Sequence, residues 1–133
     1  MRIKASAVVF AFALIAGNPM PSQNAGKQPL TIPLECAAHD CPLLKGEPQT
    51  AGMRGGFVRL KPWEAVGWHT TGDHEEALVI LRGSGEAQIE GREPMPIAAR
   101  MMVYIPSATR HNVQNTGREL LEYAYVVAPA GSH

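Results

Sequence analysis

Two polar segments of this sequence hold side chains able to share one chemical task. Residues 67–83 read Gly-Trp-His-Thr-Thr-Gly-Asp-His-Glu-Glu-Ala-Leu-Val-Ile-Leu-Arg-Gly and place His69, His74, Glu75 and Glu76 just ahead of an apolar run. Residues 105–115 read Ile-Pro-Ser-Ala-Thr-Arg-His-Asn-Val-Gln-Asn and add His111 after a proline turn. Imidazole nitrogens and carboxylate oxygens are the usual protein ligands of iron, manganese, zinc, nickel and copper. Two histidines and one carboxylate, delivered by separate strands, make the kind of site that keeps open positions for a substrate or dioxygen. A structural zinc site would instead be closed by four protein ligands.

The elements that must position these residues read as strands. Residues 57–61 alternate between apolar and polar and end at Pro62, the pattern of a half-buried strand. Residues 65–69 read as a second strand leading into the polar loop. Residues 77–81 are apolar throughout, which predicts a strand buried on both sides. Gly83-Ser84-Gly85 then turns the chain into the alternating strand 86–90, and Gly91 closes this hairpin. Residues 94–96 read as a rigid loop, 101–105 and 110–115 as strands around Pro106, and 120–127 as the last strand. No stretch sustains a helical period. Short strands at roughly ten-residue spacing imply a closed antiparallel sandwich or barrel.

Strand side chains alternate faces, so ligands on one strand must share parity. His74 and Glu76 share it, as do Leu78 and Ile80, while Glu75 faces the other way. Parity alone leaves open whether Glu75 or Glu76 faces inward. The candidate ligands are His69, His111 and one of these carboxylates, with His74 as a fourth ligand or a partner to one if Glu76 is the inward group. His39 and His133 read as surface residues, and Glu75 as part of a solvated loop tip. Trp63, Trp68, Tyr104, Tyr123 and Tyr125 could line a pocket mouth or simply fill the core and sheet surface. Asn115 reads as a residue that fixes its turn. Ser84 and Ser107 lie in no nucleophile motif, and no helix follows Gly83 to Gly85 to make a phosphate loop.

The same residues resemble the two motifs of the cupin family. His69, Glu76 and Gly83 match the first, G-x5-H-x-H-x4-E-x6-G, and Pro106, His111 and Asn115 match the second, G-x5-P-x-G-x2-H-x3-N. Thr71 replaces the second histidine of the first motif. Three motif glycines fall on Trp63, Arg100 and Ala108. With the intervening strands the resemblance spans about residues 57–127. It implies an all-β fold, a cupin jelly-roll β-barrel of short antiparallel strands. It also selects Glu76, six residues before Gly83, as the inward carboxylate that with His69 and His111 holds one divalent transition metal (Fe, Mn, Zn, Ni or Cu). His74 lies at no motif position and joins the metal residues as a fourth ligand or a partner on its parity with Glu76. The function it implies is a metal-dependent enzyme of the dioxygenase or isomerase type; the alternative is a non-catalytic module that binds a sugar or organic acid, or a structural cupin. The motifs occur once each, so the expectation is a single barrel over 57–128.

The start of the chain carries a different signal. Arg2 and Lys4 precede an apolar run over residues 5–16, too short for a membrane span of ~20 residues but suited to a secretory signal. Residues 1–25 are therefore read as a signal peptide and flexible lead-in, with processing expected between about Gly17 and Gly26, and the protein as periplasmic or secreted. Residues 26–56 read as an irregular N-terminal segment, with a short edge strand over 29–34 and loop over 43–56. Cys36 and Cys41 are the sequence's two cysteines. In an oxidising compartment such a pair reads as a disulfide rather than as thiolate ligands joined by His39. Twelve basic and twelve acidic residues balance over the whole sequence, and loss of Arg2 and Lys4 leaves a net −2. That balance gives no electrostatic footprint for nucleic acid. The expected partner is a small-molecule ligand or substrate, the expected assembly a homodimer, and no segment spans a membrane once the signal is removed.

Overall fold

A computed structural model describes residues 27–131, so the readings of the signal region and of His133 lie outside the described residues. Eight strands follow one another: β1 (Asp40–Lys45), β2 (Arg54–Leu60), β3 (His74–Arg82), β4 (Ser84–Ile89), β5 (Met95–Ala98), β6 (Met102–Ile105), β7 (His111–Gln114) and β8 (Leu121–Pro129). All pairings are antiparallel. One sheet has five strands in the order β1-β2-β8-β3-β6, and the other has three in the order β5-β4-β7. The fold is all-β, as the short apolar runs imply.

The core lies between the inner faces of the two sheets. Leu60, Leu78, Ile80, Ile105 and Leu121 are at most 1 % exposed, and Val58, Ala87 and Val113 join them. Each of the leucines, isoleucines and valines contributes ~1.5–3 kcal/mol by leaving water. β3 shows how this core fixes the direction of the polar groups. Leu78 and Ile80 point inward, so Glu76 must point inward with them. Val79 and Leu81 lie on the outer face and are exposed, so the apolar run over 77–81 is buried on one side rather than two.

Several local readings are corrected by the pairing. Residues 43–56 are not all loop, because the end of β1 and the start of β2 lie within them. Their glycines serve close packing: a Cβ on Gly56 would sit 2.6 Å from the Cys41 carbonyl and from the Tyr125 hydroxyl. Residues 29–34 form no strand; Leu30, Ile32 and Leu34 instead lie along a shallow apolar groove with Leu44 and Val126. Pro29 and Pro33 lack the N–H that a ladder needs. Residues 95–98 are a strand, since β5 pairs through backbone groups whatever its proline content. β3 and β4 belong to different sheets, so Gly83 turns the chain from one sheet to the other and closes no hairpin. The stretch 65–69 makes only two bridges, Ala65 to Gln114 and His69 to His111, interrupted by Gly67 at φ +102°.

Cys36 and Cys41 form the expected disulfide. It closes a loop that is also tied to β2, where Arg59 N–H donates to the His39 carbonyl at 2.9 Å and its guanidinium to the Cys36 carbonyl at 3.1 Å. Among the described residues no helix is long and apolar enough to cross a membrane.

The three positions where the motif glycines are replaced are the three described non-glycine residues with positive φ: Trp63 at 71°, Arg100 at 74° and Ala108 at 54°. The turns have kept a left-handed backbone that ordinary side chains adopt at a cost of ~1–2 kcal/mol. Restoring glycine recovers that strain but adds the entropy of a freer unfolded chain, ~0.5–1 kcal/mol. Ala108→Gly and Arg100→Gly should therefore each stabilise by about 0.5–1 kcal/mol in chemical denaturation. Gly83→Ala should destabilise by more than ~2 kcal/mol, because its Cβ would meet the Leu120 carbonyl in a left-handed turn. Equal midpoints for all three variants would contradict this account.

Candidate metal centre

Three polar side chains meet at one end of the core because two separate registers bring them there. Residues 65–69 run antiparallel to β7, and His69 and His111 exchange both backbone hydrogen bonds at 2.9 Å. Residues paired in this way carry their side chains next to each other on one face. The two imidazole rings accordingly stand 4.3 Å apart between centroids. Glu76 comes from the opposite sheet, held in the middle of β3 between Ile105 of β6 and Val127 of β8.

One ligand atom from each of His69, Glu76 and His111 lies within 4.8 Å of the others. Glu76 and His111 are buried, and His69 stands nearer the solvent. Both rings are oriented through Nδ1: that of His69 lies 2.8 Å from the Gly67 carbonyl and that of His111 lies 2.9 Å from the Thr109 carbonyl. A carbonyl can only accept, so each Nδ1 carries the proton and each Nε2 presents a lone pair. This is how metal-binding histidines are held in the correct tautomer.

The buried atoms at the centre lack partners of their own. His111 Nε2 lies 3.0 Å from Glu76 Oε2, but neither atom makes a hydrogen bond of acceptable geometry. A buried carboxylate oxygen without a donor costs several kcal/mol unless a cation or proton compensates it. The donor set of two imidazoles and one carboxylate, with its orphaned atoms turned toward each other, fits a divalent transition ion.

A cavity of about 200 Å³ opens beside these groups. Thr71, at the position of the missing histidine, lines it, and its hydroxyl donates to the His74 carbonyl at 2.7 Å. Of the four candidate ligands, the structure brings together His69, Glu76 and His111. His74 stands outside that group, and its Nδ1 is 2.7 Å from the exposed Asp73 carboxylate. Glu75 lies on the outer face of β3, where it accepts from the Tyr104 hydroxyl at 2.9 Å. Tyr123 and Tyr125 line the cavity, whereas Trp63 and Trp68 are exposed. Asn115 binds its turn, donating to the Leu60 and Glu119 carbonyls and accepting from Gly117 N–H.

Two contributors were not singled out by sequence reasoning. Asp40 lines the cavity from β1, within a stretch whose turn-rich composition gave no strand signal. Asn112 is buried beside His111, and its Oδ1 accepts from Gly67 N–H at 2.9 Å while its amide donates to Gln88. The same Gly67 offers its carbonyl, in the following peptide, to His69, so Asn112 anchors the residue that orients the ring. Its only signal was position: it follows His111 on a strand whose partner segment carries His69.

The Cupin domain family model matches residues 56–127, more than half of the sequence. The chain belongs to the cupin family. No curated protein matches it. Among solved structures, a Bacillus halodurans protein superposes with a TM-score of 0.67 at 20% identity, covering 81% of this chain and 86% of that one. The cupin domain of Schizosaccharomyces pombe Cnp3 gives 0.61 at 18% identity over 68% of this chain, and the match spans 64% of that domain's chain, less than two thirds. A predicted oxalate decarboxylase from Thermotoga maritima gives 0.53 at 22% identity, covering 68% and 92%. At these identities the likeness is one of fold.

Asn112→Ala would leave Gly67 N–H without its acceptor and loosen the glycine whose carbonyl orients His69. Loss of such supporting contacts lowers metal affinity by ~10–100-fold. Competition against a chelator should show that loss, with the saturating stoichiometry unchanged. An unaltered affinity would show that the anchor does not position the ligand.

Proposed function

We propose that this protein is an exported metal-dependent cupin that holds one divalent transition metal through His69, Glu76 and His111 and acts on a small molecule, as an enzyme of the dioxygenase or isomerase type. The observation that carries the reading is the buried, partnerless pair of His111 Nε2 and Glu76 Oε2 beside an open cavity. Three protein ligands leave coordination positions for a substrate, which a structural site would not. The bound metal would supply Lewis-acid polarisation of a substrate oxygen. The chain's own residues supply the rest: the Gly67 and Thr109 carbonyls hold the rings, Glu76 contributes charge, and the valine-rich wall limits water.

Metal analysis of the protein and of single alanine variants tests this. Occupancy near one ion per chain is expected, falling more than ~10-fold in His69→Ala, Glu76→Ala and His111→Ala, since each removes a direct ligand. His74→Ala and Glu75→Ala should retain the ion. Full occupancy in all three ligand variants would refute the site.

Protons compete for the same atoms. Burial, the largest influence on His111, pushes its pKa down, but the Glu76 carboxylate and the Thr109 carbonyl outweigh it and leave the value above the ordinary 6.5. Metal requires the unprotonated ring, so affinity should fall as pH drops and begin to fall above ~6.5. In metal-free protein the sign is opposite. A folded pKa above the unfolded one gives stabilisation that is fully present below ~6.5 and lost as pH rises through the folded value. The rise in Tm caused by added metal should thus grow from mildly acidic to mildly alkaline pH, as differential scanning fluorimetry would record. A rise independent of pH would contradict ligation by His111.

A further inference from the structure

The cavity beside the candidate ligands has a charge pattern that restricts what it can hold. Apart from His69, Glu76 and His111, its polar lining consists of Asp40, Thr71, Tyr123 and Tyr125, and the remaining lining residues are all valine. Among the described residues no lysine or arginine lines it. Both tyrosines stay neutral: burial, then the charges of Asp40 and Glu76, push the phenols up, Tyr125 to about 12. The Tyr125 hydroxyl also approaches Asp40 Oδ1, at 3.4 Å. A divalent ion facing Glu76 and Asp40 therefore completes a site with no net charge.

We propose that this cavity takes a small uncharged ligand bearing neighbouring oxygen functions, of the diol or hydroxycarbonyl class, and discriminates against carboxylates; this rests on the metal reading above. A bound carboxylate is normally met by a guanidinium or ammonium group. Here it would meet Asp40 and Glu76, and like charges brought together across a site repel. A neutral ligand avoids both. Its hydroxyls can exchange hydrogen bonds with Tyr123, Tyr125 and Asp40 while the valines cover its carbons. At about 200 Å³ the cavity is smaller than the ~300–1,000 Å³ of pockets for drug-sized molecules, so a chain of a few carbons suits it.

The test is calorimetric titration of the cobalt(II)-loaded full-length protein at physiological salt, with cobalt content measured on the same samples before and after. Glyceraldehyde and hydroxyacetone are compared with glycerate and lactate, which match them in size and differ in charge. The neutral compounds should bind at least ~10-fold more tightly than the acids. Asp40→Asn, which alters no candidate ligand, should raise glycerate affinity by about 10-fold at unchanged cobalt content. Tyr123→Phe should weaken glyceraldehyde about 5-fold, the loss of one hydrogen bond. Acids that bind the loaded protein as tightly as the neutral compounds overturn the proposal. So does a loaded protein that binds no neutral compound, or an Asp40→Asn variant with unchanged glycerate affinity. Protein that takes up no cobalt overturns the metal reading and this proposal with it, and the cobalt content reveals that before any ligand is added.

Discussion

The paired backbone hydrogen bonds between His69 and His111 are the constraint on which the site depends. They set two imidazoles side by side although the residues lie on different segments of the chain. Because strand side chains alternate, a slip of one residue would turn one ring away from the other. The register is secured from three directions. Val66 bonds to Val113 on one side, Trp63 and Glu64 bond to Asn115 further along, and Asn112 holds Gly67 between them. The chain thus spends buried amides and an interrupted ladder on placing one ring.

Glu76 meets this pair from the other sheet, and its position follows from burial. Leu78 and Ile80 face the core on the same side of β3, so hydrophobic packing that stabilises the fold also drives a carboxylate inward. Burying that charge opposes folding, and a metal ion or a proton on His111 offsets the cost. Protonation and stability are consequently linked through one pair of atoms, and a metal ion held there would join the same linkage. Thr71 stands where the motif has a histidine and places a hydroxyl at the cavity wall, which would leave an ion held by the other three groups more open to a ligand.

The left-handed turns show a different balance between sequence and backbone. Trp63, Arg100 and Ala108 adopt conformations that glycine would take with less strain. The surrounding sheet hydrogen bonds outweigh a local preference at each: Trp63 N–H bonds to Asn115, Arg100 N–H to Ile80 and Ala108 N–H to Gly72. Gly83 could not be exchanged in the same way, because the Leu120 carbonyl packs against the place where its side chain would be.

Much of this was legible in the residues. Alternation marked β2 and β4, since burial on one face leaves a period of two in the chain, and apolar runs bounded by turn residues marked β3, β6, β7 and β8. The match to the two cupin motifs selected Glu76 over Glu75 and named His69, Glu76 and His111 as the three groups that converge, and parity then set Glu76 on the face of Leu78 and Ile80. Other features leave no such trace. β1 and β5 are short, each holds a proline, and each is made by backbone pairing that no side-chain period records. The assignment of β3 and β4 to different sheets, the single-sided burial of β3, and the meeting of Asp40 and Asn112 with the site depend on contacts between residues far apart in the chain. Sequence patterning determined which faces are apolar and which residues can bind a metal; tertiary packing alone decided which of those faces meet, because the energy of a contact belongs to both partners and is written in neither segment by itself.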